Sequence, residues 1–266
     1  MSQSELAKEF RALHAKGELL RLPNAWDVGS ARLFEACGAR ALATTSAGLA
    51  WSLGYADGNH IPVRVLEAAT REIARVTSVP LSVDAEMGLA KDPASVGETV
   101  AALLDAGAVG VNLEDGTDSP ELLCAKLEAA KRAGERAGVA VFLNARTDVY
   151  LKGLVPKEKA QAETIARGRA YRAAGADGFF VPGLAQPETI RAIVAAVDLP
   201  LNLMLVPGLL APASLQALGV RRLSAGSSIA TNAYSLARRE ALALLGDPNA
   251  AATPDLTYPE MNALFR

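Results

Sequence analysis

Asp84 and Glu86 stand two apart in LSVDAEMG (81–88), where an apolar run gives way to acids. On a strand, positions two apart share a face, so both carboxylates would aim at one place. Glu114 and Asp115 end the next such run, GVNLED (110–115). Carboxylates gathered together repel unless they are protonated, held apart or neutralised. A hard divalent cation neutralises them, and Mg²⁺ takes one or two directly while water and ligand oxygens complete its shell. The chain's two histidines, His14 and His60, fall in a helix and a distant loop, which argues against zinc and for Mg²⁺ or Mn²⁺. The other use for such acids is capping helix N-termini, and Asp115 suits that well. Arg146, in FLNARTDVY (142–150), could fork onto a ligand's carboxylate or phosphate, or pair with Asp148 and the acids of the neighbouring run. TTSAG (44–48) joins hydroxyls to a glycine-loosened backbone whose N–H groups could meet an anion.

These residues need a scaffold that brings them together. Eight apolar runs read as strands: LLRLPN (19–24), ALATTS (41–46), LSVDAE (81–86), GVNLED (110–115), AVFLNAR (140–146), GFFVPG (178–183), PLNLML (200–205) and VRRLSAG (220–226). Helix-like segments separate them, opened by Asp27 or Ser119-Pro120 and closed by glycine, as in EACGARAL and LDAGAVGV. The pattern predicts one α/β domain over residues 1–266, a (β/α)8 TIM-type barrel. An open doubly wound sheet is the rival, but it would collect its chemistry at one crevice. Here Asn24, Ser46, Asp84, Glu86, Glu114, Asp115, Arg146, Asp148 and Asn202 fall at the predicted ends of many strands, as a barrel mouth requires. Residues 47–62 read as a long loop after the second strand, and residues 227–266 as C-terminal helices with Thr253-Pro254 as a start signal. Leu256, Met261, Leu264 and Phe265 there need cover, which another subunit could supply.

Composition narrows the partners. The net charge is −2 and 21% of residues are charged, so no basic footprint for nucleic acid or anionic membrane exists. No apolar run reaches the roughly 18 residues of a membrane span. Residues 1–20 lack the apolar core of an export signal, so Cys37 and Cys124 are expected as reduced, packed thiols in a cytoplasmic protein. No G-x-G-x-x-G follows the first strand, and no Ser/His/Asp arrangement is available to the two histidines.

The run PNAWDVGSARLFEACGARALATTSAGLAWSLGYADG, followed by VDAEMG, GVNLEDG and NARTDVY, resembles the isocitrate lyase/phosphoenolpyruvate mutase superfamily from about residue 20 to 235. The resemblance implies an α/β barrel, commonly a homotetramer that exchanges a late helix, which binds Mg²⁺ and a small 2-oxo or 2-hydroxy acid. It implies cleavage or formation of a C–C or P–C bond through an enolate. By motif, Asp84 resembles the principal metal-side carboxylate, Glu86 its second acid and Glu114 the acid that holds metal-bound water. Asp57, in GYADG, matches an acid on the loop over the metal. Ser46, Ala47 and Gly48 resemble the segment that grips the substrate carboxylate, with Trp26 in the preceding motif and Asn202 on a later strand as further substrate contacts. Arg146 resembles the arginine that faces the substrate's oxygens. The K-K/R-C-G-H loop of isocitrate lyases is absent, as are the Lys and Asn-Ser loop and the histidine of the phosphonate mutases; EDG runs through TDSP straight into a helix. Decarboxylation of a 3-carboxy-2-oxo acid such as oxaloacetate needs the least further machinery. Retro-aldol cleavage of a substituted malate, a P–C bond reaction and a non-catalytic acid-binding barrel are the alternatives.

Overall fold

A computed structural model of the chain describes residues 1–15 and 17–265. Pro23, which has no N–H for a ladder, divides the first apolar run into β1 (Leu20–Leu22) and β2 (Asn24–Ala25). The remaining strands are β3 (Leu42–Thr44), β4 (Leu81–Asp84), β5 (Gly110–Glu114), β6 (Phe142–Arg146), β7 (Gly178–Phe180), β8 (Leu201–Met204) and β9 (Arg222–Ser224). All are parallel, in the order β1-β9-β8-β7-β6-β5-β4-β3-β2. Because β1 and β2 are halves of one run, the sheet closes through Pro23, and nine short strands make the eight staves of a TIM-type barrel.

The helices are α1 (Gln3–Leu13), α2 (Val28–Ala36), α3 (Ser46–Ser52), α4 (Val63–Val76), α5 (Pro93–Asp105), α6 (Pro120–Ala137), α7 (Lys157–Ala173), α8 (Pro187–Ala196), α9 (Pro212–Ala217), α10 (Ser228–Leu244) and α11 (Tyr258–Ala263). Asp27 caps α2 and Ser119 caps α6 with Pro120 in its first turn, as the sequence predicts. Gly38, Gly107, Gly175 and Gly219 follow helix ends at φ between +91° and +106°, which explains the repeated glycine before β3, β5, β7 and β9.

Alternation along the strands sends Val83, Val111, Leu113, Leu143, Phe179, Leu201 and Leu203 outward under the helices, all buried. Inside the barrel the middle is polar. Asn144 Nδ2 donates to Asn112 Oδ1 (2.9 Å) and Asn202 Oδ1 (3.1 Å), and Arg222 Nη2 reaches Asn112 Oδ1 (3.3 Å). α1 plugs the end opposite the mouth: Phe10 sits edge-on to Phe142 at 5.4 Å, and His14 stacks on Phe142 at 4.1 Å. Burial there, with Arg222 nearby, drops the His14 pKa to about 3, so it is a neutral core residue.

Several expectations are corrected. Residues 47–62 are not all loop, since Thr45 caps a helix that runs through Ser52. That helix is buried around most of its circumference, so it carries no amphipathic period to read. The C-terminal helix starts at Thr257, not Thr253: Thr257 and Glu260 form a capping box and Thr253 ends a 3₁₀ turn. Cys37 is exposed at the end of α2, whereas Cys124 is half-buried and packs against the core as expected. Met261 is buried with Ala47 and Trp51 of the same chain, while Leu264 is exposed. Among the described residues no helix is long and apolar enough to cross a membrane.

Candidate active site at the barrel mouth

Strand ends set the first layer of the mouth. Asp84 ends β4, Glu114 ends β5 and Arg146 ends β6, with Glu114 and Arg146 paired in register. Arg146 Nη1 lies 2.7 Å from Glu114 and its Nε 2.7 Å from Asp148. Its guanidinium also stands 5.7 Å above the Phe180 ring. Burial alone would lower the pKa of Arg146, but Glu114, Asp148 and Asp84 together raise it, so the charge is permanent. Arg146 thus makes the ion pairs open to it from the sequence, and they fix its orientation at the mouth.

Glu86 reaches the mouth by another route than the one its spacing suggests. The strand stops at Asp84, and Glu86 adopts φ +52°, a left-handed conformation costly for a residue with a Cβ. Its N–H donates to Asp84 Oδ1 (3.2 Å), and its own Oε2 accepts from Asn59 N–H at 2.5 Å. Asn59 returns the contact, accepting from Met87 N–H at 3.2 Å. The loop that holds Asp57 and Asn59 therefore closes over the end of β4. Asp57 Oδ2 accepts from Tyr258 at 2.7 Å, while its Oδ1 is buried with no hydrogen-bond partner.

The electrostatics record a surplus of negative charge. Burial, with repulsion from Asp57 and Asp84, pushes Glu86 up to about 8. Burial pushes Glu114 up to about 7 against the attraction of Arg146, with Asp148 and Asp84 adding repulsion and Lys152 a weaker pull downward. Burial also raises Asp84, against the pull of Arg146 and the N–H groups of Glu86 and Ser46. Five acids, Asp57, Asp84, Glu86, Glu114 and Asp148, thus share the mouth with Arg146 and Lys152, and Arg222 acts on Asp84 from below. Among the described residues, no three acids, histidines or cysteines converge tightly enough to grip an ion directly. Magnesium does not need three, since it commonly keeps several waters and takes one or two carboxylates. The unpartnered Asp57 Oδ1 and the carboxylates gathered around it would suit such an ion.

Other sequence candidates fall into different places. Asp115 turns away from the mouth: its Oδ2 accepts from Arg167 (2.8 Å) and Tyr171 (2.6 Å), and its Oδ1 from Asp148 N–H (2.9 Å). It is a buried pin that holds the segment after β6. Asn202 is not at a strand end; it lies a layer below the mouth, where Nδ2 donates to Leu203 O (2.7 Å) and Ser224 Oγ (3.2 Å). Ser46 opens α3 beside Asp84, Ala47 is buried against Trp51 and Met261, and Gly48 is packed under Trp26. Trp26 is half-buried, edge-on to Phe34 at 5.9 Å, and lines a cavity of about 530 Å³ between α2 and α4. That apolar cavity contains none of the mouth acids, so the chemistry lies elsewhere.

Sequence reasoning missed Lys152, Arg222, Asn59, Tyr258 and Asn262. Lys152 sits on a π-turn (Val149–Gly153), 2.8 Å from Asp148 and 3.9 Å from Glu114. Its spacing of four from Asp148 was the available signal. Arg222 faces inward by strand alternation, and burial lowers it to about 9 although Asp84 pulls it up.

This chain resembles known proteins over most of its length. The family model for phosphoenolpyruvate phosphomutase matches residues 10–245. A probable 2-methylisocitrate lyase of Corynebacterium glutamicum is 32% identical over 208 residues, covering 76% of this chain and 67% of the relative. An oxaloacetate decarboxylase of Bradyrhizobium sp. is 31% identical over 224 residues, covering 80% and 68%. The solved structure of oxaloacetate acetylhydrolase with the product oxalate superposes at TM-score 0.81 with 29% identity, covering 99% of this chain and 94% of the other.

Proposed function

Because this chain belongs to the phosphoenolpyruvate phosphomutase family, we propose that it is a metal-dependent carbon–carbon lyase or decarboxylase of a small 2-oxo or 2-hydroxy dicarboxylate, with oxaloacetate the simplest substrate. The observation that carries this reading is the surplus of buried carboxylates around one fixed arginine at the mouth of the barrel. Asp84 would hold Mg²⁺ or Mn²⁺ directly, and Asp57, Glu86 and Glu114 would hold it through water. When bound, that ion supplies Lewis-acid polarisation of the substrate's 2-oxo group and offsets the negative charge that develops there.

The chain's own residues do the rest. Arg146 has Nε and Nη1 committed to Asp148 and Glu114, which leaves Nη2 to face the substrate's oxygens. Ser46 N–H is engaged by Asp84 and Gly48 N–H by Thr45, so the grip on a substrate carboxylate falls to Ala47 N–H and the Ser46 hydroxyl. Residues 115–119 join β5 to α6 with no long covering loop, which favours a reaction that needs no loop-borne acid. A cytoplasmic, self-associating enzyme belongs to the same reading, with exposed Leu236, Leu244 and Leu245 on and just after α10 as the surface for subunit exchange.

Oxaloacetate and phosphonopyruvate, each with and without Mg²⁺, test this reading. We expect Mg²⁺-dependent pyruvate formation from oxaloacetate above the enzyme-free rate, and no phosphate from phosphonopyruvate. Phosphate release would transfer the assignment to P–C chemistry. No turnover across a panel of such acids would leave an acid-binding barrel.

A further inference from the structure

The C-terminal helix reaches the mouth. Asn262 is 2% exposed although it is polar, and it lies over 200 positions from its two partners in sequence. Its Oδ1 accepts from Trp51 Nε1–H (3.1 Å) and from the backbone N–H of Asp57 (2.6 Å). One turn earlier, Tyr258 donates to Asp57 Oδ2 and packs its ring against Trp51 at 5.6 Å. Met261 fills the space between Ala47 and Trp51. α11 therefore holds both the backbone and the carboxylate of Asp57.

That hold passes onward. Two residues after Asp57, Asn59 takes a left-handed conformation at φ +63° and exchanges hydrogen bonds with Glu86 and Met87. Glu86 is itself left-handed at φ +52°. The two left-handed residues meet through a hydrogen bond, and the conformation, costly for Glu86, persists only when its surroundings over-determine it. α11 supplies part of that determination from the outer side, and the end of β4 supplies the rest. With Oδ2 occupied by Tyr258, Asp57 presents Oδ1 alone to the mouth, and that oxygen is the unpartnered one.

We propose that Asn262 and Tyr258 are positioning residues of the active site, and that docking of the C-terminal helix and binding at the mouth are thermodynamically coupled through Asp57 and Asn59. The metal-binding part of this proposal rests on the reading of the mouth given above; the ordering of the loop does not. Coupling is reciprocal, so a ligand that tightens the loop must also tighten α11.

Two full-length variants separate the alternatives. Asn262→Leu keeps much of the volume and removes the acceptor, whereas Asn262→Asp restores an acceptor oxygen. In metal-free protein, hydrogen exchange at the Asn59 and Met87 amides should accelerate in Asn262→Leu and return toward wild type in Asn262→Asp. Calorimetry should show Mg²⁺ affinity falling about tenfold or more in Asn262→Leu, with recovery in Asn262→Asp, as loss of a partner that orients an acid around the ion entails. In wild-type protein, Mg²⁺ with oxalate should slow exchange across residues 258–263. Unchanged exchange at Asn59 and Met87 overturns the positioning role whatever the metal does. Equal Mg²⁺ affinity in Asn262→Leu and wild type, or protection at residues 84–86 without any at 258–263, overturns the coupling. Altered exchange in a wild-type-like fold that binds no Mg²⁺ supports the latch and removes the metal reading alone.

Discussion

Glu86 arrives at the mouth through a left-handed turn, and this illustrates what spacing can and cannot say. A period of two made Asp84 and Glu86 neighbours, and they are neighbours, yet the strand ends between them. At this scale Asp84→Asn should abolish measurable Mg²⁺ binding by calorimetry while circular dichroism stays native, because the carboxylate proposed to hold the ion directly is lost. Unchanged affinity would remove Asp84 from its role. Metal affinity should also depend on pH. Glu86 and Glu114, held near 8 and 7, must lose protons as the ion binds, so affinity should rise between about pH 6 and pH 8.5 and protons should be released. A flat profile would mean that neither glutamate takes part. Cys124, half-buried on α6, should tolerate replacement by serine with near-normal turnover. A hundredfold loss, about 2.7 kcal/mol of barrier, would show the thiol to be chemical.

Among the elements, the legible ones repeat and the illegible ones do not. Strand runs, the Asp27 and Ser119 caps and the four glycine-ended helices could be read because each has a period or a punctuation mark. α3 could not, since a short helix buried nearly all round shows no period, and its Thr45 cap falls in a run of hydroxyls that reads equally well as a turn. Its packing makes a prediction. A Cβ at Gly48 would lie 2.8 Å from Thr45 Cγ2, 2.9 Å from Trp26 Cβ and 3.0 Å from Ala230 Cβ. Gly48→Ala should therefore destabilise by about 1–3 kcal/mol in urea denaturation; a neutral effect would show that α3 shifts freely. Asp115 looked equally suited to metal and to structure, and only α7, distant in sequence, decides between them. Breaking its buried pair by Asp115→Ala should cost about 3–5 kcal/mol and disturb the orientation of Asp148. A variant as stable as wild type would contradict the pinning role.

For the whole molecule, the barrel was legible from eight alternating units, whereas its closure through Pro23, its polar middle layer and the return of α11 to the mouth depend on contacts between distant segments. The assembled mouth also sets a global pH response. Glu86 and Glu114 have folded-state values raised from 4.5, so the metal-free fold binds more protons than the unfolded chain in the window between. Their contribution is fully present below about pH 4.5 and is lost as pH rises through about 7 and 8. Mg²⁺ should therefore raise the melting temperature more at about pH 8.5 than at about pH 6. The most direct measurement is anomalous diffraction from crystals soaked with Mn²⁺ and oxalate. A manganese peak bonded to an Asp84 oxygen, with Asp57, Glu86 and Glu114 around it and oxalate facing Arg146, is the expected result. Full-occupancy manganese elsewhere, with only water among those carboxylates, would contradict the account.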